Sequence, residues 1–315
     1  MGQADEVRGR LARAAYASLD RDLADVWLAM LEPGVRLRAG PVRGQVSLGR
    51  RLPVVRRHRR DEEPGLRPDP CGWLGGLPLL PRQARWPHWE GHGPLAHIAT
   101  LDCAQLQPVL PARMRDAGFP EDGWLSFFYF DGSADGGTEV VGSLFAGTGN
   151  GARVCYSAPG HVELTSPPQE VQPYPKVGVT ARPVLTWATW EHPRLHEDGR
   201  PAPGWDQIWA ELDQLRLEQD GSPAHQVGGN PDPVQGPVEL EVAYGQLSRG
   251  GQDKIAWTDP AVRSAADDWI LLAQIDTDSQ AGFLWGDCGV LYYLIRPADL
   301  AARRFDRTAF TWQCS

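Results

Sequence analysis

Gly123-Trp124-Leu125-Ser126-Phe127-Phe128, followed at an offset of 166 by Gly289-Val290-Leu291-Tyr292-Tyr293-Leu294, reads as one strand written twice. Aromatic and β-branched residues in short runs favour a pleated, half-buried surface. The same order recurs upstream of each run. Gly75-Gly76-Leu77-Pro78 returns as Gly228-Gly229-Asn230-Pro231 at an offset of 153, and Ala99-Thr100-Leu101-Asp102 returns as Ala273-Gln274-Ile275-Asp276 at 174. Each unit therefore reads Gly-Gly-x-Pro, an apolar strand ending in Asp, a glycine, then an aromatic strand. Preserved order with unequal spacing implies an ancient duplication. The expected fold is α+β, predominantly antiparallel β, with two related β-rich halves sharing one core and a helix at the N-terminus. The aromatic strands over 124–130 and 290–295 should meet in that core.

Composition agrees with this architecture. The chain has 315 residues, of which 35 are Gly and 28 are Pro, too many turn formers for a helical bundle. No apolar run is long enough to span a bilayer, and Met1 to Glu6 lacks a signal core. The five cysteines are odd in number, widely spaced and without a CxxC pair, which argues against a disulfide framework or a structural zinc site. The expectation is a cytoplasmic protein with reduced thiols. Lysine occurs only at Lys176 and Lys254, which leaves little room for Schiff-base chemistry.

The chain divides into an amphipathic helix (1–32), a basic connecting segment (33–70) and a β-rich core (71–315), the core split at 220/221. Val7, Leu11, Ala15, Leu19, Leu23, Val26, Trp27 and Met30 recur at helical spacing, and Pro33-Gly34 stops the helix. Val26, Trp27 and Met30 should dock it. A second helix is expected over Trp205–Leu217, with Ile208, Trp209, Leu212 and Leu215 on one face. Residues 1–70 carry a net +4 against −13 for the remainder. The Arg50 to Arg60 cluster could meet an acidic partner, but the acidic remainder and the lack of nucleic-acid motifs disfavour general nucleic-acid binding.

Chemistry is sparse in the sequence. The Gly-Gly pairs could cradle a phosphate, but neither is a P-loop, and a tight turn with φ > 0 explains both better. His88, His92 and His97, and His192 with His196, sit among Gly and Pro rather than on a helix, so neither a metal nor a cofactor is expected. Cys288 and Cys314 could act as nucleophiles beside His225, but no Gly-x-Ser-x-Gly elbow accompanies them. Asp102, Asp276 and Asp287 stand at strand ends, where an aspartate either caps a turn or does acid/base work. The turn Trp285-Gly286-Asp287-Cys288-Gly289 has no counterpart in the first half. It should lie beside Gly228-Gly229 as one wall of a cleft.

Together these motifs resemble the YwqG-like family, a bacterial domain family of unknown function. The likeness runs from Pro33-Gly34-Val35-Arg36-Leu37 through Leu74 to Pro81 and Trp86-Pro87, then His225 to Pro231 with Gln235. It ends with Leu271 to Asp276, Trp285 to Val290 and Trp312-Gln313-Cys314. Thr100 stands where the family usually has Gln, and Gln313 where it usually has Asp. The resemblance implies an antiparallel α+β fold and no established reaction. It also implies an immunity or accessory role beside toxins. Two readings follow. The first is a non-catalytic binder whose groove holds a protein or peptide partner. The second is an enzyme or small-ligand binder built where the two Gly-Gly turns meet Asp276 and Asp287. The candidate ligand-site residues are His225, Gly228, Gly229, Gln235, Gln274, Asp276, Trp285 and Asp287.

Overall fold

The computed structural model describes residues 3–40, 70–132, 141–145, 147–160, 162–196, 200–219, 221–249 and 255–314. The Arg50 to Arg60 cluster and Lys254 lie outside the described residues. Ten strands build one antiparallel sheet: β1 (Glu32–Gly40), β2 (Gly72–Leu74), β3 (Ala96–Asp102), β4 (Trp124–Tyr129), β5 (Ala152–Ser157), β6 (Val177–Thr186), β7 (Gln226–Val227), β8 (Ile270–Asp276), β9 (Val290–Ile295) and β10 (Ala309–Gln313). Their order across the sheet is β10-β9-β8-β7-β1-β6-β2-β3-β4-β5. Six helices matter below: α1 (Gln3–Ser18), α2 (Arg21–Ala29), α3 (Ala112–Asp116), α4 (Trp205–Glu218), α5 (Val238–Arg249) and α6 (Pro260–Ala266).

The sheet rolls into a nearly closed barrel because its aromatic strands attract one another across the interior. Phe127 of β4 meets Tyr293 of β9 edge to face at 5.1 Å, and the Tyr293 hydroxyl donates to the Phe128 carbonyl at 3.1 Å. Tyr129 stacks on Phe310 of β10 at 5.2 Å. Edge-to-face rings gain energy beyond their buried area. The interior is therefore filled by side chains.

The two arms of the sheet carry matching registers. Outward from the central β1–β6 pair, a short strand ending in Gly-Gly leads to a seven-residue strand, then to an aromatic one. Trp73 pairs with Thr100 and Thr100 with Ser126. On the other arm Gln226 pairs with Gln274 and Gln274 with Tyr292. Even the irregularities match, with one bulge between His97 and Ala99 and another between Leu271 and Ala273. The first strands cross over: β1 pairs with β7, and β6 with β2.

The single helix expected over 1–32 is two. Asp20 accepts the Leu23 amide at 3.0 Å and starts α2 afresh. The apolar stripe is thereby re-phased. Trp27 is fully buried and Met30 buried, but Val26, expected inside, is exposed. Trp27 crosses Trp205 of α4 at 5.6 Å and donates to the Ala188 carbonyl at 2.9 Å. On α4, Ile208, Leu212 and Leu215 are buried, whereas Trp209 is exposed with Arg216 over its ring. The cap is testable: Asp20→Ala should cost about 1 kcal/mol in a denaturant melt. An unchanged midpoint would show that packing alone sets the break.

Candidate functional site

The second Gly-Gly signature folds back along the outer face of the sheet. Gly228 and Gly229 are left-handed, with φ of 61° and 73°. A Cβ on Gly229 would lie 2.7 Å from the Thr186 hydroxyl, so glycine is required there on both counts. The chain beyond has no strand partner, and side-chain amides replace one. Gln226 donates to the Gly228 and Asn230 carbonyls at 2.8 and 2.9 Å. Gln274 accepts the Asp232 amide at 3.0 Å and donates to the Ala224 carbonyl at 2.8 Å. The Tyr292 hydroxyl donates to the Asp232 carbonyl at 2.8 Å. Gln313 accepts the Val234 and Gln235 amides at 3.0 Å each and donates to the Gly236 carbonyl at 2.9 Å. Gln226, Gln274, Tyr292 and Gln313 are all buried. Gln274 thus serves as a loop bracket, while Gln235 is gripped by its backbone and its side chain faces solvent. An aspartate at 313 could accept these bonds but not donate to Gly236.

His225 closes a second bracket. Its Nδ1 accepts the Asp276 amide at 3.0 Å, which leaves the proton on Nε2, 3.2 Å from the Asp278 carboxylate. Asp276 accepts the Ala224 amide at 2.7 Å, and Asp278 accepts the Gln280 amide at 2.8 Å. Burial pushes the Asp276 carboxyl above the usual range. Burial also acts against the Asp278 carboxylate, but the bonds from His225 and Gln280 outweigh it and hold that carboxyl below the usual range. Every polar group of this buried set has a partner, the mark of a structural network.

The turn at 285–289 does not lie beside Gly228-Gly229. Antiparallel pairing of Gln226 with Gln274 puts Gly228 level with Leu272, whereas the turn leaves β8 beyond Asp276 at the opposite end. Its neighbours belong to the first Gly-Gly pair instead. Trp285 meets Tyr174 at 6.0 Å, and the Gly76 amide donates to the Tyr174 carbonyl at 2.8 Å. The two Gly-Gly turns do not meet either. Gly75 abuts Pro175, just ahead of β6, and Gly229 abuts Thr186, at the far end of β6. Trp285 is buried among Phe283, Tyr174 and Tyr129, whereas Asp287 is exposed. The predicted grouping thus separates. His225, Gln274 and Asp276 sit together, and Gly228, Gly229 and Gln235 lie farther along the same loop. Trp285 and Asp287 belong to the other end. Among the histidines, His92 stacks on Trp89 at 3.7 Å, while the buried His97 bonds Thr100 at 2.8 Å and is pushed down to about 4.

A cleft opens at the Gly228 end; sequence reasoning placed a cleft beside this turn but missed the residues that line it. Its volume is about 320 Å³, and a smaller hollow of about 140 Å³ adjoins it, sharing Glu32 and Arg113. The Gly-Gly turn frames both: Gly229 lines the smaller, and Asn230 lines the larger, tied to the Met30 carbonyl at 2.8 Å. Glu32 at the start of β1 pairs with Arg113 of α3. Arg263 of α6 donates to the Pro193 carbonyl at 3.5 Å, and Arg194 and Asp267 stand exposed at the wall. Burial pushes His192 down to about 4, so its ring is neutral at pH 7. Burial pushes the Glu239 carboxyl, in the first turn of α5, up to about 7. These residues come from five distant segments, so no local spacing could have flagged them. Among the described residues, no three His, Cys, Asp or Glu side chains are grouped to hold a metal.

An antiparallel sheet rolled to near closure, with bracketed loops on its outer face and a charged cleft at one end, defines the class. Residues 73–314 match the family described as a domain of unknown function (DUF1963), and the chain belongs to it. No curated protein matches the chain.

Proposed function

We propose that this chain is a binding protein and that the cleft at the Glu32 end holds a segment of a protein or peptide partner. The single observation behind the reading is the cleft itself. It is the larger of the two hollows described, at about 320 Å³, and its walls carry both arginines and carboxylates. A peptide brings donors and acceptors together, which suits a wall of mixed sign better than one of a single sign. The packed barrel interior directs a ligand to this outer cleft. Chemistry at Asp276 and Asp287 finds no such support: Asp276 is locked to Ala224 and His225, and Asp287 is exposed on a turn. Five unpaired cysteines accord with a cytoplasmic setting, and immunity to a toxin is one form this binding would take.

The test uses a filled cleft. Ala29 is exposed and lines the hollow, so Ala29→Trp blocks it without touching the core. In capture from the native cell's extract, a partner held by the wild type should be lost by the variant. Equal capture by both, or none by either, overturns the reading.

We infer too that the two arms descend from one duplicated unit of the YwqG-like kind. The matched bulges at His97/Ala99 and Leu271/Ala273 support it. Across relatives the two bulges should stay in step; if they drift independently, the inference fails.

A further inference from the structure

We propose that Glu239 anchors a positively charged side chain of that partner, an ammonium or guanidinium group entering the cleft. This rests on the binding reading above and adds the chemistry of the occupant. Glu239 is half-buried at the cleft wall. Among the described residues no cation pairs with it. A desolvated carboxylate gains most from a cation that arrives with a ligand.

The surrounding charges favour the same sign. Facing Glu239 are Arg113 from α3, Glu32 from β1 and Asp267 at the end of α6. Arg113 is already engaged by Glu32, and among the described residues neither Asp267 nor Glu239 forms an ion pair. Arg263, on the same helix as Asp267, is turned to the Pro193 carbonyl but keeps its charge, His192 is neutral at pH 7, and Arg194 stands exposed. Three arginines and three carboxylates line the cleft, and at the Glu239 position an anion would meet two carboxylates with no ion-pair partner, whereas a cation would pair with them.

Protonation gives this proposal a signature. Burial raises the unliganded carboxyl to about 7, so a proton competes with a cation for it around neutral pH. A cation pulls its pKa down and expels the proton. Binding should therefore be strong above pH 7 and fall as pH drops through it, by about tenfold between pH 8 and pH 6.

The test is calorimetric titration of the full chain with n-butylammonium and, separately, n-butylguanidinium, both charged throughout this range. In buffers of different ionisation enthalpy near pH 7, probe binding should release protons. Glu239→Gln should bind weakly at pH 8 and lose the pH dependence, while matching the wild type near pH 5.5. Stronger binding of one probe identifies the side chain, lysine-like or arginine-like. Equal affinity of wild type and Glu239→Gln at pH 8, or wild-type binding independent of pH, overturns the proposal. A partner lost with Ala29→Trp alongside that result would leave the cleft standing and remove only the cation. Melting of Glu239→Gln guards against misfolding: its stability should match or exceed the wild type at pH 8. The raised carboxyl stabilises the fold below the ordinary range, and that contribution is lost as pH rises through about 7. A melt well below the wild type would make Glu239 structural and sink the proposal as well.

Discussion

Tyr293→Ala should destabilise the chain by about 3–5 kcal/mol, the usual range for truncating a large buried aromatic residue. The side chain is fully buried, sits edge to face with Phe127 and Phe310 at 5.1 Å each, and bonds the Phe128 carbonyl. Removing it empties the place where the two arms of the sheet touch. Tyr293→Phe separates packing from the hydrogen bond and should cost only about 1 kcal/mol. Chemical denaturation of both variants checks this. Two near-zero shifts would mean that the barrel is not closed through β4 and β9.

The second large effect lies outside the barrel interior. His225→Ala removes the acceptor of the Asp276 amide and the donor to Asp278 at one stroke. Asp278, 2% exposed, then keeps a buried carboxylate with much less support. Taking a hydrogen-bond donor away from a buried carboxylate costs about 1.5–3 kcal/mol. Acid unfolding gives an independent sign. In the wild type the Asp278 carboxyl lies below its ordinary value, so its stabilisation is present above the unfolded pKa and is lost as pH falls through the folded one. His225→Ala should blunt that acid limb as well as lowering the midpoint. An acid limb like the wild type's would show that the histidine contributes shape alone. Binding at the cleft, at the other end of β8, should change only in proportion to stability.

The strands at 124–129 and 290–295 were legible because aromatic and β-branched runs have few other uses. The central strand β1 was harder. Glu32-Pro33-Gly34-Val35-Arg36-Leu37-Arg38-Ala39-Gly40 has the composition of a loop, and only the family likeness flagged its first half. Strand pairing on both sides overrides weak local propensity there. The helix break at Asp20 was written in a capping residue, but helical spacing runs straight across it, and periodicity hides the change of phase. Gln274 and His225 were singled out as ligand-site candidates. Their chemistry is spent on main-chain groups, which a sequence cannot distinguish from a ligand's. The lining of the cleft was illegible for another reason: Glu32, Arg113, His192, Glu239 and Arg263 become neighbours only through the fold.

The crossed first strands bear on how the chain is made. β1 leaves the ribosome first, yet its neighbours are β6, at 177–186, and β7, at 226–227. β2 in turn needs β6 on one flank. Neither arm can complete its hydrogen bonding from its own residues, and the earliest-made strand waits longest for both partners. Such long-range pairing is slow and leaves strand edges open during synthesis. The nascent chain should therefore depend on chaperones until residue 227 has emerged, and fragments ending before β6 should aggregate rather than fold.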